Sequence, residues 1–170
     1  MSDAHTFVVE RTMARSAGYQ PRNHGRIVPG AWRLFRRAAT RGWLGQQWAR
    51  MGGRAPLLLD LTSVATEYTV TERHFAGLCT VPLRQVRGSE GRCLDFDAAF
   101  HPLQYHTEAR WLSIASAWHD GVSLPPIDLI QIGDVYFVRD GHHRVSVARA
   151  LGHEHIDAIV TAWTLSTPCP

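Results

Sequence analysis

Five consecutive residues, Asp140-Gly141-His142-His143-Arg144, hold the densest chemistry in the chain. Gly141 has no Cβ, so the main chain can turn sharply there and a ligand can approach closely. If a helix starts at this point, its first amides lack intrahelical acceptors and carry the positive end of the helix dipole. A strand–glycine–helix corner with Arg144 beside it is then a seat for an anion or a phosphate group. Asp140 would either cap the helix or help hold a metal ion that bridges phosphates. The alternative is a capped helix that carries two surface histidines. His142, His143, His153 and His155 crowd together in sequence. Adjacent helix residues point about 100° apart, however, and the second pair lies roughly a dozen ångströms further along the axis. No common metal site is expected from them.

The surrounding pattern predicts the elements that must position this corner. Ile127 to Ile132 reads as a strand, Gly133-Asp134 as a tight turn and Val135 to Val138 as the returning strand of a hairpin. The helix after Gly141 presents Val147, Ala148 and Leu151 to a core and stops at Gly152. Ile156 to Trp163 is the last strand. Upstream, Thr107 can cap a helix whose Trp111, Ile114, Ala115 and Trp118 share one face, both tryptophans reading as core. Cys79 to Val86 alternates like a strand, and Gly88 to Arg92 follows as a loop toward Asp95-Phe96-Asp97. Pro56 to Leu61 is apolar and starts either a helix or a connecting strand.

From Ala31 the period is helical. Trp32, Phe35, Ala39 and Trp43 fall on one side, and Arg33, Arg36, Arg37 and Arg41 on the other. Gly42 and Gly45 weaken this helix, and Gly52-Gly53 end a second short one near Trp48. Its basic face is either a solvated surface on a docked helix or a surface offered to DNA. Residues 1–29 show no sustained period and read as an irregular arm. The expected organisation is therefore arm (1–29), basic helical extension (30–76), main domain (77–163) and tail (164–170).

Composition narrows the class. The chain has 170 residues, 45% hydrophobic and 19% charged, enough for one domain with a core. No apolar run approaches the roughly 18 residues of a membrane span. The N-terminal residues lack the pattern of a secretory signal. Three cysteines without a CxxC indicate neither a disulfide framework nor a zinc ribbon, so a cytoplasmic setting is the default. All 18 basic residues are arginine, which a GC-rich coding sequence explains simply. Their distribution says more. Residues 1–54 hold ten arginines against Asp3 and Glu10, a net +8, whereas residues 55–170 hold eight against thirteen acids, a net −5. A basic segment on a mildly acidic body is the result.

Taken in order, the strand V-P-L-R-Q-V, Arg92 ahead of Asp95-Phe96-Asp97, the amphipathic helix, P-P-I-D-L-I-Q-I-G-D-V-Y-F-V and D-G-H-H-R-V-S-V-A-R-A-L-G resemble a known family. From Val81 to Trp163, about half the chain, the sequence resembles the N-terminal domain of the chromosome-partition protein ParB and the wider ParB/sulfiredoxin-like superfamily. The resemblance implies an α+β fold, a small mixed β-sheet with packed helices. It also implies a nucleoside triphosphate, CTP or ATP, bound with Mg²⁺. In ParB the corner reads Gly-Glu-Arg-Arg and binds a triphosphate; Gly141 and Arg144 match it, with His142 and His143 in the middle. In sulfiredoxin it reads Gly-Cys-His-Arg. Here His142 stands at the nucleophilic cysteine, so sulfinic-acid reduction is not expected. The free-serine kinases are similar at D-G-H-H-R and carry a Glu after the first strand. Glu90 is at the comparable place and would be the base of a phosphotransferase, unless it is a solvated loop acid. Arg92 matches a family arginine that reaches the phosphates, unless it pairs with Asp95 or Asp97.

The resemblance thus implies a phosphate-binding set of Ser89, Arg92, Asp140, Gly141, His142, His143 and Arg144, with Asp140 toward Mg²⁺. ParB continues into a helix-turn-helix module, which is not expected in the seven residues that follow Trp163 here. Any DNA contact is therefore expected from Arg33, Arg36, Arg37 and Arg41, strongly dependent on salt. A second copy of the chain is a further expected partner, a membrane is not, and a purely non-catalytic interaction protein is the third reading.

Overall fold

The structure is a computed structural model that describes residues 27–52 and 57–166. Most of the expected arm and the last four residues of the expected tail lie outside the described residues. The fold is α+β. One six-stranded mixed sheet carries helices on its faces, as the resemblance implies.

The chain enters through helix α1 (Pro29–Arg50), short strand β1 (Leu59–Asp60) and helix α2 (Leu61–Glu67). Strand β2 (Thr69–Pro82), a 3-10 turn at Leu83–Gln85 and strand β3 (Val86–Ser89) follow. Helix α3 (Glu108–His119), strands β4 (Ile127–Ile132) and β5 (Val135–Asp140), helix α4 (His142–Ala150) and strand β6 (His155–Ser166) complete it. The strands lie in the order β1-β3-β5-β4-β6-β2. β4 and β5 form the expected antiparallel hairpin, β3 runs parallel to β5, and β4 parallel to β6.

The sheet's main core packs Val81, Val86, Ile127, Leu129 and Val138 against Val145 and Ala148 of α4 and against Phe96 and Phe100 of the loop after β3. A second core joins the helices, with Ala31, Phe35 and Ala38 of α1 against Trp111, Leu112 and Ala115 of α3 and Val147 of α4. The Trp111 indole donates to Ser146 Oγ at 2.8 Å, so this large ring is buried without an orphaned donor. On the other sheet face Leu61 covers Ile130 and Phe137.

Several boundaries differ from expectation. The segment Cys79–Val86 is not one strand: β2 ends at Pro82, and β3 starts only after the 3-10 turn. β3 in turn occupies part of the expected Gly88–Arg92 loop. β2 begins at Thr69, so the boundary drawn at residue 77 falls inside it, and β6 runs on to Ser166. α1 is a single helix that runs through Gly42 and Gly45. A Cβ at Gly42 would come within 3.0 Å of Pro102 O and Leu103 Cδ2, so the absent side chain lets the loop lie against the helix. Small residues also decide which face docks. Ala31, Phe35, Ala38 and Gly42 are buried, while Trp32 and Trp43 of the expected aromatic side remain exposed, as does Trp48 further on. No described helix is long and apolar enough to cross a membrane.

Candidate anion-binding site

Strand β5 ends at Asp140, and Gly141 turns the chain with φ 100° into α4 as its N-cap. The first turn then points inward: His142, His143 and Arg144 are all buried, not surface residues. No side chain caps the helix, and Asp140 does not serve as one. Thr107 likewise fails to cap α3; its hydroxyl turns back to Gln104 O at 2.6 Å.

Each buried side chain has a reason for its position. The amide of Arg92 donates to Ser89 Oγ at 3.1 Å, and that hydroxyl pairs with His142 Nε2 at 2.7 Å. Ser89 is therefore engaged between the Arg92 loop and α4, fully buried, and holds the corner together instead of facing a ligand. The Phe96 ring stacks on His142 and meets His143 edge-on, with centroids 6.2 and 5.4 Å away. Burial pushes both imidazoles down to about 3, helped by the positive charge of Arg92, so both are neutral at physiological pH. Arg92 donates weakly to His143 Nε2 at 3.4 Å, while His143 Nδ1 is buried without a hydrogen-bond partner.

Arg144 lines the cleft, and its guanidinium is engaged within the protein. Its guanidinium donates to Pro125 O at 2.6 Å and Pro126 O at 2.9 Å and forms an ion pair with Asp140. It is a strut that ties α4 to the Pro125-Pro126 approach to β4. The same pair occupies the Asp140 carboxylate.

What remains open in front of the helix is a cleft of about 230 Å³ lined by Arg92, Arg110, Ile114, Arg139 and residues 140–144. The sequence-predicted residues Arg92, Asp140, Gly141, His142, His143 and Arg144 thus converge, with Ser89 behind them. Glu90 stands apart from the cleft lining. Its carboxylate accepts from Arg139 Nε at 3.1 Å, which leaves it poorly placed as a base. Arg33, Arg36, Arg37 and Arg41 are all exposed on α1, and none lines the cleft.

Three contributors escaped the sequence reading. Arg110 and Ile114 stand one turn apart on α3, and that i, i+4 spacing was the available signal. Arg139 lies within β5, whose alternation was read only for its apolar face. Asp128 pairs with Asp140 across the hairpin, and burial raises its carboxyl above the usual range, opposed by Arg139. Its Oδ1 is buried without a partner.

No family model and no curated protein matches the chain. Among solved structures it is similar to the crystal structure of sulfiredoxin from Arabidopsis thaliana, with 19% sequence identity and a TM-score of 0.39. The match covers 51% of this chain and 86% of that chain.

Proposed function

We propose that the chain is a ParB-like module that binds the phosphates of a nucleoside triphosphate, CTP or ATP, in the cleft at the start of α4. The observation that carries this reading is the conjunction of an uncapped helix N-terminus with a cleft bordered by the exposed Arg92 and Arg110. Helix amides and guanidinium groups together suit phosphate oxygens. The neutral imidazoles add hydrogen-bonding groups without adding charge. Arg144 and Ser89 contribute indirectly, by fixing the helix start.

Mg²⁺ does not fit as a protein-held ion. The Asp140 carboxylate faces Arg144, and among the described residues no group of three or more His, Cys, Asp or Glu side chains is placed to hold a metal. The metal would arrive on the nucleotide as part of the ligand.

Calorimetric titration with CTP, ATP, GTP and ADP in the presence of Mg²⁺ tests the reading. At least one triphosphate should bind, and Arg92→Ala should weaken it about tenfold or more, the order expected when a charge-assisted hydrogen bond is lost. Absence of binding by every nucleotide overturns it.

A second reading, association with DNA, is favoured by one feature of α1. The helix contains five arginines, all exposed, and no acid. Binding to duplex DNA should fall steeply between 50 and 200 mM salt, by roughly 0.9 in the log–log slope for each phosphate contacted. Replacing Arg33, Arg36, Arg37 and Arg41 by Gln should flatten that slope in fluorescence anisotropy. A variant that binds like the unmodified chain at every salt concentration removes α1 from the interface.

A further inference from the structure

Helix α1 has two unlike faces. Ala31, Phe35, Ala38 and Gly42 are buried against α3, α4 and the Pro102-Leu103 loop. The Val28 amide donates to Ser116 Oγ at 3.2 Å, so the start of the helix is also tied to α3. The other face holds three tryptophans in contact with water. Trp32 is 40% exposed and meets Phe35 edge-on with centroids 6.3 Å apart. Trp43 is 56% exposed and Trp48 69%. Packing accounts for the inner face, but it does not account for two large rings that lie more than half in solvent.

At about 100° and 1.5 Å per residue, the outward residues sort into two rows. Trp32, Arg36, Trp43 and Arg50 fall within about 40° of one another along about 27 Å of the axis. Arg33, Arg37, Leu44 and Trp48 form the second row, with Arg41 at its edge. Both rows mix guanidinium groups with indoles, and the helix contains no acid. Among the described residues, no carboxylate pairs with any of these arginines.

This mixture suits a polynucleotide whose bases are unpaired. Its phosphates meet guanidinium groups, and each free base can lay its π-face on an indole. Duplex DNA offers the same phosphates but keeps its bases stacked on one another, so the indoles would gain little from it. A bilayer surface fits less well. An interfacial helix buries a continuous apolar face in the lipid and keeps its charges on the opposite side. The continuous apolar face of α1 is already spent on α3 and α4, and its arginines stand between the outward indoles.

We propose that the outward face of α1 binds single-stranded DNA, with Trp43 and Trp48 as stacking platforms and the arginines as phosphate contacts. The inference rests on the reading of α1 as a DNA interface and names the form of DNA it takes. Stacking and charge need no 2′-hydroxyl, so a DNA strand is a sufficient occupant.

Fluorescence anisotropy on the full chain compares an oligothymidylate of about 20 nucleotides with a duplex of the same length. At about 200 mM salt, where the counterion contribution has weakened, the single strand should bind about tenfold more tightly. Trp43→Ala and Trp48→Ala should each weaken that binding about fivefold or more, the scale of one lost base–aromatic stack. Both should leave the salt slope unchanged, because the slope counts phosphates. Trp43→Phe and Trp48→Phe keep a ring and should recover most of the affinity. Both positions are exposed, so the alanine variants should melt at the wild-type temperature. If the duplex binds as tightly as the single strand, or both alanine variants bind like wild type, the stacking assignment falls and the DNA reading stands. Binding of oligouridylate alone, or capture by phosphatidylglycerol vesicles with no binding of oligothymidylate, also overturns it. If neither form of DNA binds, both readings fall.

Discussion

Acidification from pH 6.5 to pH 4.5 should cost the folded chain on the order of 5 kcal/mol, more than most single substitutions. The cause is the pair of histidines at the start of α4. Each has an ordinary value of 6.5 when unfolded and about 3 when folded, because burial and the Arg92 charge penalise the imidazolium. Between those values the unfolded chain holds two protons that the folded chain does not. Stability therefore falls as pH falls through this window, by about 1.4 kcal/mol per unit for each group. Asp128 acts in the opposite sense, since its carboxyl is raised and the folded state takes up its proton more readily. One such group does not offset two histidines. If the net stability is near 5 kcal/mol, the low end of the range for an ordinary domain, unfolding should set in above pH 4. Denaturant titrations at pH 7, 6, 5 and 4.5 give the slope directly. His143→Gln should lower it by about one proton. A stability that is flat from pH 7 to pH 4.5 would show that the imidazoles are not held neutral by burial.

The same corner shows where sequence reasoning reaches its limit. The hairpin, α3 and α4 were legible because each buries one face, so apolar residues recur at the period of the element. Ile127–Ile132 was placed to the residue, and Gly133-Asp134 turned the chain as expected. β2 was legible only at its end. From Thr71 to Ala76 every residue is exposed, so no buried face imposes an alternation on that stretch. α1 was cut short at Gly42 because helix propensity knows nothing of a loop pressed against that position.

Within the site, identity was legible and direction was not. Gly141 and Arg92 both line the cleft, and Arg92 also pairs with Asp95. That Arg144 turns away to Pro125 and Pro126, or that Glu90 is held by Arg139, depends on which strands neighbour which. β3 and β5 are parallel neighbours separated by some fifty residues of sequence, and no local pattern encodes that pairing. The contact between Asp95 Oδ1 and His106 Nε2, at 3.3 Å, is likewise hidden from any local pattern. Its partners meet only because the loop after β3 folds back so that Leu103 N bonds Asp95 O at 2.9 Å.

Gly141→Ala should destabilise the fold by roughly 2–5 kcal/mol, through two independent costs. The first is conformational. With φ at 100°, residue 141 occupies a region that an L-residue with a Cβ enters only at a cost of about 1–2 kcal/mol. The second is steric. A Cβ there would lie 2.5 Å from Ile127 Cγ2 and 2.9 Å from Ile127 Cβ, and Ile127 is itself buried in the sheet core. Nothing flexible can yield. Ile127 is pinned at the start of β4 between β5 and β6, and the third neighbour, Arg144 Nε at 3.1 Å, belongs to the strut that holds the helix. Overpacking of this kind typically costs about 1–3 kcal/mol. For a chain of this size the sum should lower Tm by about 5–20 °C. A double-variant cycle separates the two costs. Ile127→Ala opens room for the new methyl group, so its combination with Gly141→Ala should be less damaging than the two single effects added, by about 1 kcal/mol or more. The conformational cost remains in the double variant. A Tm for Gly141→Ala within about 2 °C of wild type would mean that residue 141 does not adopt this turn, and the helix amides would then not be aimed at the cleft.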